Sequence, residues 1–317
     1  MKKICIIACY FGKLPEYFKL WKKSCERNST IDFLFITDQD IESDVSNFIV
    51  KKMQIFELER LIQVKLRMKD ARLKHPYKIC DYRPAFGIIF EKELKSYDFW
   101  GHCDLDIILG DLRQFFTCKI LNENQKILKN GNLSLYKNQE NINLLFKKDG
   151  AIYNFKKVFT SDENYAFDEF TGINKIVTAN NISIFEREIY ADIDPKYKNF
   201  KMCNLKNYEN QIFIYEKGKV FMYYLENNIL KKRELSHIHF QKKNIKTNKA
   251  DSINNYIISN TIINIDTNIN IEKLKEFNFE KENYNIEKIN YIYKKIKQFI
   301  NCNYKQKKIW LKQKIWR

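Results

Sequence analysis

The sequence predicts an α/β fold with a mostly parallel central sheet, and three observations support it. Apolar runs typical of buried strands lie at residues 3–10 and 31–36, with a shorter one at 48–53. Segments with helical spacing of apolar residues stand between and after these runs. Strands and helices therefore alternate, which favours a three-layer arrangement with helices on both faces of the sheet.

The first elements can be taken in chain order. The run K-I-C-I-I-A-C-Y at 3–10 is continuous, as expected for a central strand. It is too short for a signal peptide, and no A-x-A-like cleavage site follows it. Pro15 can open a helix, in which Phe18, Trp21 and Cys25 share one face.

The remaining elements follow from the same patterns. A second amphipathic helix is predicted to bury Leu61, Val64, Met68 and Ala71. Asp111 is a suitable N-cap for a helix at 112–116. Further strands are predicted at 98–105, 133–136, 220–225, 237–240 and 256–265, and further helices at 84–94, 141–146 and from Asp168 or Thr171 to Ala179.

Composition limits the classes of protein to consider. With 317 residues, 44% hydrophobic and 15% aromatic, the chain is long enough and apolar enough to fold as one large or two small domains. No apolar run approaches the roughly 20 residues that cross a bilayer. The eight cysteines form no C-x-x-C pair, so reduced thiols are expected.

The charge is strongly positive and unevenly distributed. Lys and Arg number 56 against 39 Asp and Glu, a formal charge of +17, which favours an anionic partner. Residues 281–317 contain eleven Lys or Arg and two Glu, or +9. In this segment Ile289, Tyr293, Ile296 and Ile300 form one apolar helical stripe. Such a helix can lie on an anionic membrane or pack on the domain with its lysines in water.

The most informative stretch is residues 96–112, S-Y-D-F-W-G-H-C-D-L-D-I-I-L-G-D-L. If it is a strand, Asp104 and Asp106 point to the same side. Two adjacent carboxylates repel each other, and a hard divalent cation such as Mg²⁺ or Mn²⁺ neutralises them while also binding phosphate. The alternative is a solvated turn after a core strand. The very apolar segment before the pair favours the metal site.

Ligands of parallel sheets bind beyond the carboxyl ends of the strands. Residues 8–11, including Tyr10, residues 37–38, including Asp38, and residues 104–106 should meet along that edge. With only eight glycines, the chain contains neither G-x-G-x-x-G nor a P-loop, so dinucleotide oxidation and P-loop hydrolysis lack support.

Two motifs carry a resemblance to a known family. The first is Y-K-I-C-D-Y-R-P-A-F-G at 77–87, and the second is Y-D-F-W-G-H-C-D-L-D at 97–106. Together they resemble a bacterial family from capsule and O-antigen gene clusters, with the D-x-D motif of GT-A-fold glycosyltransferases. Some members are linked to galactofuranose transfer. The resemblance spans 2–243, which implies a catalytic domain at 1–243 and a C-terminal extension at 244–317.

The resemblance implies a UDP-sugar donor and a Mn²⁺ or Mg²⁺ ion held by Asp104 and Asp106. In many GT-A enzymes a late histidine completes the coordination, and S-H-I-H-F-Q-K-K at 236–243 offers His237 and His239. By resemblance His239 is chosen, with Lys242 or Lys243 reaching the phosphates. The alternative is an edge strand with a solvated basic end. His102 is expected to be structural or to support a ligand.

Other residues are assigned by the same resemblance. Asp81 is expected to accept from a base or ribose hydroxyl while Arg83 faces phosphate, and a surface salt bridge capping a helix is the competing explanation. Residues 134–138 resemble a segment that lines the donor sugar or acceptor. Asp168, with Glu169 second, is the expected base of an inverting transfer, against a plain acidic pair at a helix start.

The resemblance implies an acceptor that is a lipid-linked or other oligosaccharide of a surface polysaccharide. That would place the protein in the cytoplasm, at the inner face of the cytoplasmic membrane. A nucleic-acid or membrane-surface binding protein with structural acids is the alternative of a different class, since it would use the charge. A metal-dependent phosphohydrolase is a third. Against nucleic acid, the basic residues cluster after residue 280 rather than along the expected edge of the sheet.

Overall fold

The computed structural model describes residues 1–197, 199–208, 210–241, 243, 245–247, 254–265, 269–277, 292–293, 295–297, 306–309 and 311. Its strands are β1 (Ile4–Tyr10), β2 (Asp32–Thr37), β3 (Phe48–Lys52), β4 (Phe99–Cys103), β5 (Ile107–Leu109), β6 (Lys126–Ile127), β7 (Leu133–Lys137), β8 (Ile184–Phe185), β9 (Ala191–Asp192), β10 (Gln211–Glu216), β11 (Lys219–Glu226), β12 (Ile229–Leu235), β13 (His237–His239), β14 (Asn255–Ile258) and β15 (Ile263–Asn264).

The helices alternate with these strands in the first half of the chain. They are α1 (Phe18–Arg27), α2 (Ile55–Leu66), α3 (Ile79–Tyr82), α4 (Phe86–Ile89), α5 (Glu91–Leu94), α6 (Leu112–Phe115), α7 (Cys118–Glu123), α8 (Glu140–Asn143), α9 (Phe155–Phe159), α10 (Ile173–Ala179) and α11 (Ile271–Phe277), with 3₁₀ turns at Pro76–Lys78, Arg83–Ala85 and Leu145–Lys147.

The central sheet has seven strands in the order β3-β2-β1-β4-β7-β6-β8. The four strands β3, β2, β1 and β4 are mutually parallel, whereas β7 runs antiparallel to β4. The sheet is therefore mixed but rich in parallel pairs, and the predicted α/β fold class with a mostly parallel central sheet is confirmed. The parallel strands place the ends of β1, β2 and β4 on one edge, where a ligand site is expected.

Alternate residues of β1 supply the two sides of the core. Ile6 belongs to a cluster that contains Trp21 and Cys25 of α1, as the sequence pattern predicts. Ile7 belongs to the opposite cluster, with Leu58 of α2. Both faces of this strand are thus buried, which explains its unbroken apolar sequence.

For the second helix, the prediction of which face is buried was wrong. Helix α2 ends at Leu66, because Arg67 adopts a left-handed conformation (φ 54°). Its buried residues are Leu58, Ile62 and Leu66, while Val64 is 66% exposed. The chain offers two apolar stripes here, and only packing against the sheet decides between them.

The segment predicted as one helix at 84–94 is instead a series of short helices and a 3₁₀ turn, in which α3 begins at Ile79. Pro84 lies in the 3₁₀ turn Arg83–Ala85, and α4 and α5 are separated at Phe90 (φ −109°). The structure thus bends this segment repeatedly. Arg83 consequently lies at a bend rather than before a straight helix.

Beyond residue 200 the structure contains an antiparallel sheet of five strands, β12-β11-β10-β14-β15. A further sheet of three strands, β5-β13-β9, joins β13 to two strands from earlier in the chain. Strands β10 and β12 were missed by the sequence analysis. Strand β12 reads I-L-K-K-R-E-L and lies at an edge, where charged residues conceal the strand pattern. Strand β14 pairs with β10, so this sheet contains residues on both sides of position 243. The division at 243/244 stays a prediction.

Only part of the C-terminal segment lies within the described residues. Ile309 is 4% exposed and belongs to the same core cluster as Tyr153, and Gln306 donates to the carbonyl of Asn164 (3.2 Å). Tyr293 and Ile296 of the predicted stripe are exposed. The positions 289 and 300 lie outside the described residues. Among the residues described, no helix is long and apolar enough to cross a membrane.

Candidate active site

The D-x-D pair lies in a bend between two strands. Strand β4 ends at Cys103, so the predicted continuation of the strand to residue 105 is wrong. The backbone N–H of Asp104 donates to the carbonyl of Asn132 (2.9 Å), and the carbonyl of Asp106 accepts from the N–H of Phe240 (3.0 Å). These bonds, rather than strand alternation, orient the two carboxylates.

His239 comes to the same place through β13. This strand pairs antiparallel with β5, and His239 lies beside Ile107, the residue after Asp106. One ligand atom each of Asp104, Asp106 and His239 lies within 4.8 Å of the others, and His239 Nε2 is 3.5 Å from Asp106 Oδ1. Two carboxylates and an imidazole at this separation could hold a divalent metal ion.

Asp192 lies on the opposite side of the His239 ring. Its Oδ1 is 2.7 Å from His239 Nδ1, and both side chains are half-buried. Burial lowers the pKa of His239, but the hydrogen bonds and charges of Asp106 and Asp192 outweigh this and raise it to about 10. The two acids therefore hold the imidazolium form until a cation displaces its proton. The sequence analysis missed Asp192, and no motif identifies it.

Arg83 connects the D-x-D pair to the second acidic pair. Its Nη2 donates to Asp104 Oδ1, and its Nη1 donates to Asp168 Oδ2 (3.0 Å) and to the carbonyl of Gly131 (3.0 Å). Burial raises the pKa of Asp168 well above its ordinary value, although the charge of Arg83 opposes this. Asp168 is thus a buried carboxyl held by a cation rather than an exposed acid.

Asp168 and Glu169 do not stand at a helix start, because α10 begins at Ile173. Glu169 accepts from the N–H of Gly131. A Cβ on Gly131 would lie 2.9 Å from both Asp168 Oδ2 and Glu169 Oε1. Because Gly131 has no side chain, both carboxylates can approach the backbone just before β7. The carbonyl of Gly131 itself accepts from Arg83. The role of these acids as base stays a prediction.

Asp81 lies inside the protein, where its carboxylate has several hydrogen-bond partners. It is 1% exposed, its Oδ2 accepts from Lys78 Nζ (2.8 Å), and its Oδ1 accepts from the N–H of Phe167 (2.9 Å). The N–H of Tyr165 donates to the same carboxylate. Asp81 thus supports the segment that carries Asp168, and its burial contradicts the alternative of a surface salt bridge. Its contact with a base or ribose hydroxyl stays a prediction.

Two of the predicted nucleotide contacts lie at the ends of β1 and β2. Asp38 accepts from the N–H of Gly12 (3.0 Å) and from Gln39 Nε2 (2.8 Å), and the hydrogen bond from Gln39 lowers its pKa. Gly12 has φ +93°, so a residue with a side chain would be strained there. The hydroxyl of Tyr10 donates to the carbonyl of Lys13 (3.2 Å). Burial, and after it the charge of Asp106, raises the pKa of Tyr10. The contacts of Tyr10 and Asp38 with a nucleotide stay predictions.

The basic residues after His239 are less informative. Lys243 donates to the carbonyl of Tyr197 and lies near the ring of Phe200, with Nζ 5.5 Å from its centroid. Its contact with the phosphates stays a prediction. Lys242 lies outside the described residues.

The other histidines near the site are core residues. His237 is fully buried and stacks on Tyr190 with centroids 4.6 Å apart, and burial lowers its pKa to about 3. His102 is also fully buried, and burial lowers its pKa well below the ordinary value. Ser134 and Tyr136 of the segment predicted to line a sugar are likewise buried, on β7 next to β4.

Comparison with known proteins gives a family and a set of distant structural relatives. The model of a family of unknown function, DUF6625, matches residues 6–271. No curated protein matches the chain in sequence.

Three similar solved structures are all glycosyltransferases. One is involved in glycosylation of the major capsid of PBCV-1 (10% identity, TM-score 0.35, 60% of this chain and 85% of that chain). The second is the galactosyltransferase LgtC with donor and acceptor sugar analogues (10%, 0.33, 60% and 75%). The third is GlyE of Streptococcus pneumoniae TIGR4 (12%, 0.29, 60% and 46%). Similarity at this level does not bear on activity.

Proposed function

The chain belongs to DUF6625, a family of unknown function, and we propose that it is a metal-dependent glycosyltransferase with a nucleotide-sugar donor. The observation that carries the proposal is the meeting of Asp104, Asp106 and His239 beyond the end of β4, in the middle of a parallel-rich sheet. Two segments that are far apart in the sequence, the bend at 104–106 and strand β13, converge there on a site suited to a cation and a diphosphate.

The donor set fits Mn²⁺ or Mg²⁺. Carboxylate oxygens are the preferred ligands of both ions, and a single imidazole is accepted by Mn²⁺. When bound, such an ion acts as a Lewis acid that neutralises the charge developing on a diphosphate leaving group. Asp104 and Asp106 are both only half-buried, so a substrate oxygen can reach an ion held between them.

The residues of the chain itself supply orientation and proton transfer. Arg83, between Asp104 and Asp168, sets the distance between the metal side of the site and the acidic side. We assign Asp168 as the base of an inverting transfer, with Glu169 as the alternative. Burial raises the pKa of Asp168, which makes its ionised carboxylate a stronger proton acceptor, provided that its pairing with Arg83 opens when the acceptor hydroxyl arrives.

The donor and acceptor classes rest on the two sequence motifs. We propose a UDP-sugar whose nucleotide lies along the ends of β1 and β2, near Tyr10 and Asp38. The acceptor is proposed to be a surface polysaccharide intermediate on a lipid carrier. The exposed Tyr293 and Ile296, within a segment of charge +9, support contact with the inner face of the cytoplasmic membrane.

The test measures UDP release from a panel of UDP-sugars with Mn²⁺, with and without a glycan acceptor. Release that requires the acceptor indicates transfer, and release into water alone indicates a phosphohydrolase. No release with any donor, in a protein shown to be folded, contradicts the proposal. Asp98→Ala is a matched control, because this acid precedes β4 whereas Asp104 follows it. Proton NMR of the product determines whether the anomeric configuration is inverted.

A further inference from the structure

Asp192 is a candidate for a role that the predicted ligands do not explain. Its Oδ1 lies 2.7 Å from His239 Nδ1, on the side of the ring opposite Asp106. Its other oxygen accepts from the thiol of Cys203 (3.3 Å). The carboxylate is therefore held at both oxygens, one against the imidazole and one against a neighbouring loop.

The backbone fixes this contact as firmly as the side chains do. Strand β9 runs parallel to β13, with Asp192 directly beside His239 in the register. The N–H of Asp192 donates to Asn204 Oδ1 (2.9 Å), and Gln241 Nε2 donates to Asp192 Oδ1 (2.8 Å). The acid is thus positioned by its own strand and by residues on either side of it.

The chemistry of this contact selects one form of the ring. An ionised carboxylate only accepts hydrogen bonds, so at 2.7 Å the proton must be on His239 Nδ1. The neutral ring then has its lone pair on Nε2, the atom that faces Asp106 at 3.5 Å. The Nδ2 atom of Asn132 lies 3.0 Å from the same Nδ1, and a turn of this amide would exchange it for the amide oxygen, which can accept from that proton as well.

We infer that Asp192 is a positioning residue, which holds His239 in the tautomer and orientation that present Nε2 to the metal ion. The inference rests on the proposed metal site. A carboxylate behind a histidine ligand fixes the ring and increases its basicity, and removing such a partner typically weakens metal affinity by about 10- to 100-fold. A purely structural Asp192 would instead change the stability of the fold without this effect.

The experiment titrates Mn²⁺ into the full-length chain and counts free Mn²⁺ by electron paramagnetic resonance, with no donor or acceptor present. We expect Asp192→Ala to raise the dissociation constant by about 10- to 100-fold. Asp192→Asn retains an oxygen that can accept from Nδ1–H, so its loss should be smaller. Cys203→Ala is the matched control, because it removes the contact with the opposite oxygen and a long contact with Gln241 Nε2 (3.7 Å) but leaves the contact between Asp192 and His239 in place. It should bind Mn²⁺ like the wild type.

A second measurement determines directly which nitrogen of the His239 ring is protonated. Nitrogen-15 NMR of the Mg²⁺-loaded protein should show His239 protonated at Nδ1 in the wild type and a mixture of forms in Asp192→Ala. The thermal unfolding midpoint of each variant shows whether it is folded. If Asp192→Ala does not fold, the isosteric Asp192→Asn is used to test the inference instead.

The outcomes separate the two proposals. A folded wild type that binds no Mn²⁺ overturns the metal site and this inference together. A wild type that binds Mn²⁺, with Asp192 variants that bind equally well and keep the Nδ1 proton, overturns the inference alone.

Discussion

Replacing Arg83 by methionine should leave two carboxylates without their shared cation. The side chain of Arg83 is 11% exposed, against 6% for Asp168 and 27% for Asp104. Removing one partner of a buried ion pair costs about 3–5 kcal/mol, since the other charge stays buried. We expect the lower end, about 3 kcal/mol, because the more exposed Asp104 is partly solvated.

The cost should depend on pH through Asp168. Its folded-state pKa is raised by burial, so between the ordinary carboxyl pKa and that value the folded state binds more protons than the unfolded state. Stability therefore falls as pH rises through this window. The charge of Arg83 lowers the pKa of Asp168, so the loss of Arg83 raises that pKa further. The window therefore extends to higher pH. The deficit of Arg83→Met should thus be smaller at pH 5 than at pH 8.

Urea unfolding of the wild type, Arg83→Met, Asp168→Asn and the double variant provides the measurement. Because Asp168→Asn removes the unpaired charge, the double variant should recover part of the loss, which makes the cycle non-additive. An additive cycle, or a single-variant loss below about 1 kcal/mol, would refute the view that Arg83 holds a buried acid.

Three further predictions concern the proposed activity. Asp106→Ala should abolish transfer without changing the unfolding midpoint, and Asp104→Ala should reduce transfer severely. Full activity of either variant, or of the wild type in EDTA, contradicts the metal site. Asp168→Asn should retain donor binding, measured calorimetrically, and lose turnover; a loss in Glu169→Gln instead would exchange their roles. A chain ending at residue 280 should still fold and use a soluble acceptor but no longer sediment with anionic vesicles at low salt, with Ile309→Ala as the control for lost packing.

Local patterns in the sequence determined the elements at the centre of the molecule. The apolar run of β1, the single buried face of α1 and the Asp111 cap all depend on neighbouring residues, and the structure contains each of them. The prediction of a cation site at Asp104 and Asp106 is also local, since it depends on two acids one residue apart and on the apolar segment that precedes them. His239 was chosen by motif resemblance, and its place in the cluster depends on the pairing of β13 with β5.

Only the tertiary structure decided which charged groups serve which purpose. Asp81 and Asp104 are both acids near an expected edge, yet Asp81 is buried against Lys78 while Asp104 meets His239. His237 and His239 share one face of β13 and both lie next to Asn132, yet His237 is fully buried against Tyr190 whereas His239 lies beside Asp106. Their neighbours, and not their spacing, make the first a core residue and the second a candidate ligand. Asp192 acquires its partner only when β9 pairs with β13. The ionisation and role of each side chain depend on solvent access and on neighbours from distant segments, and folding alone brings those together.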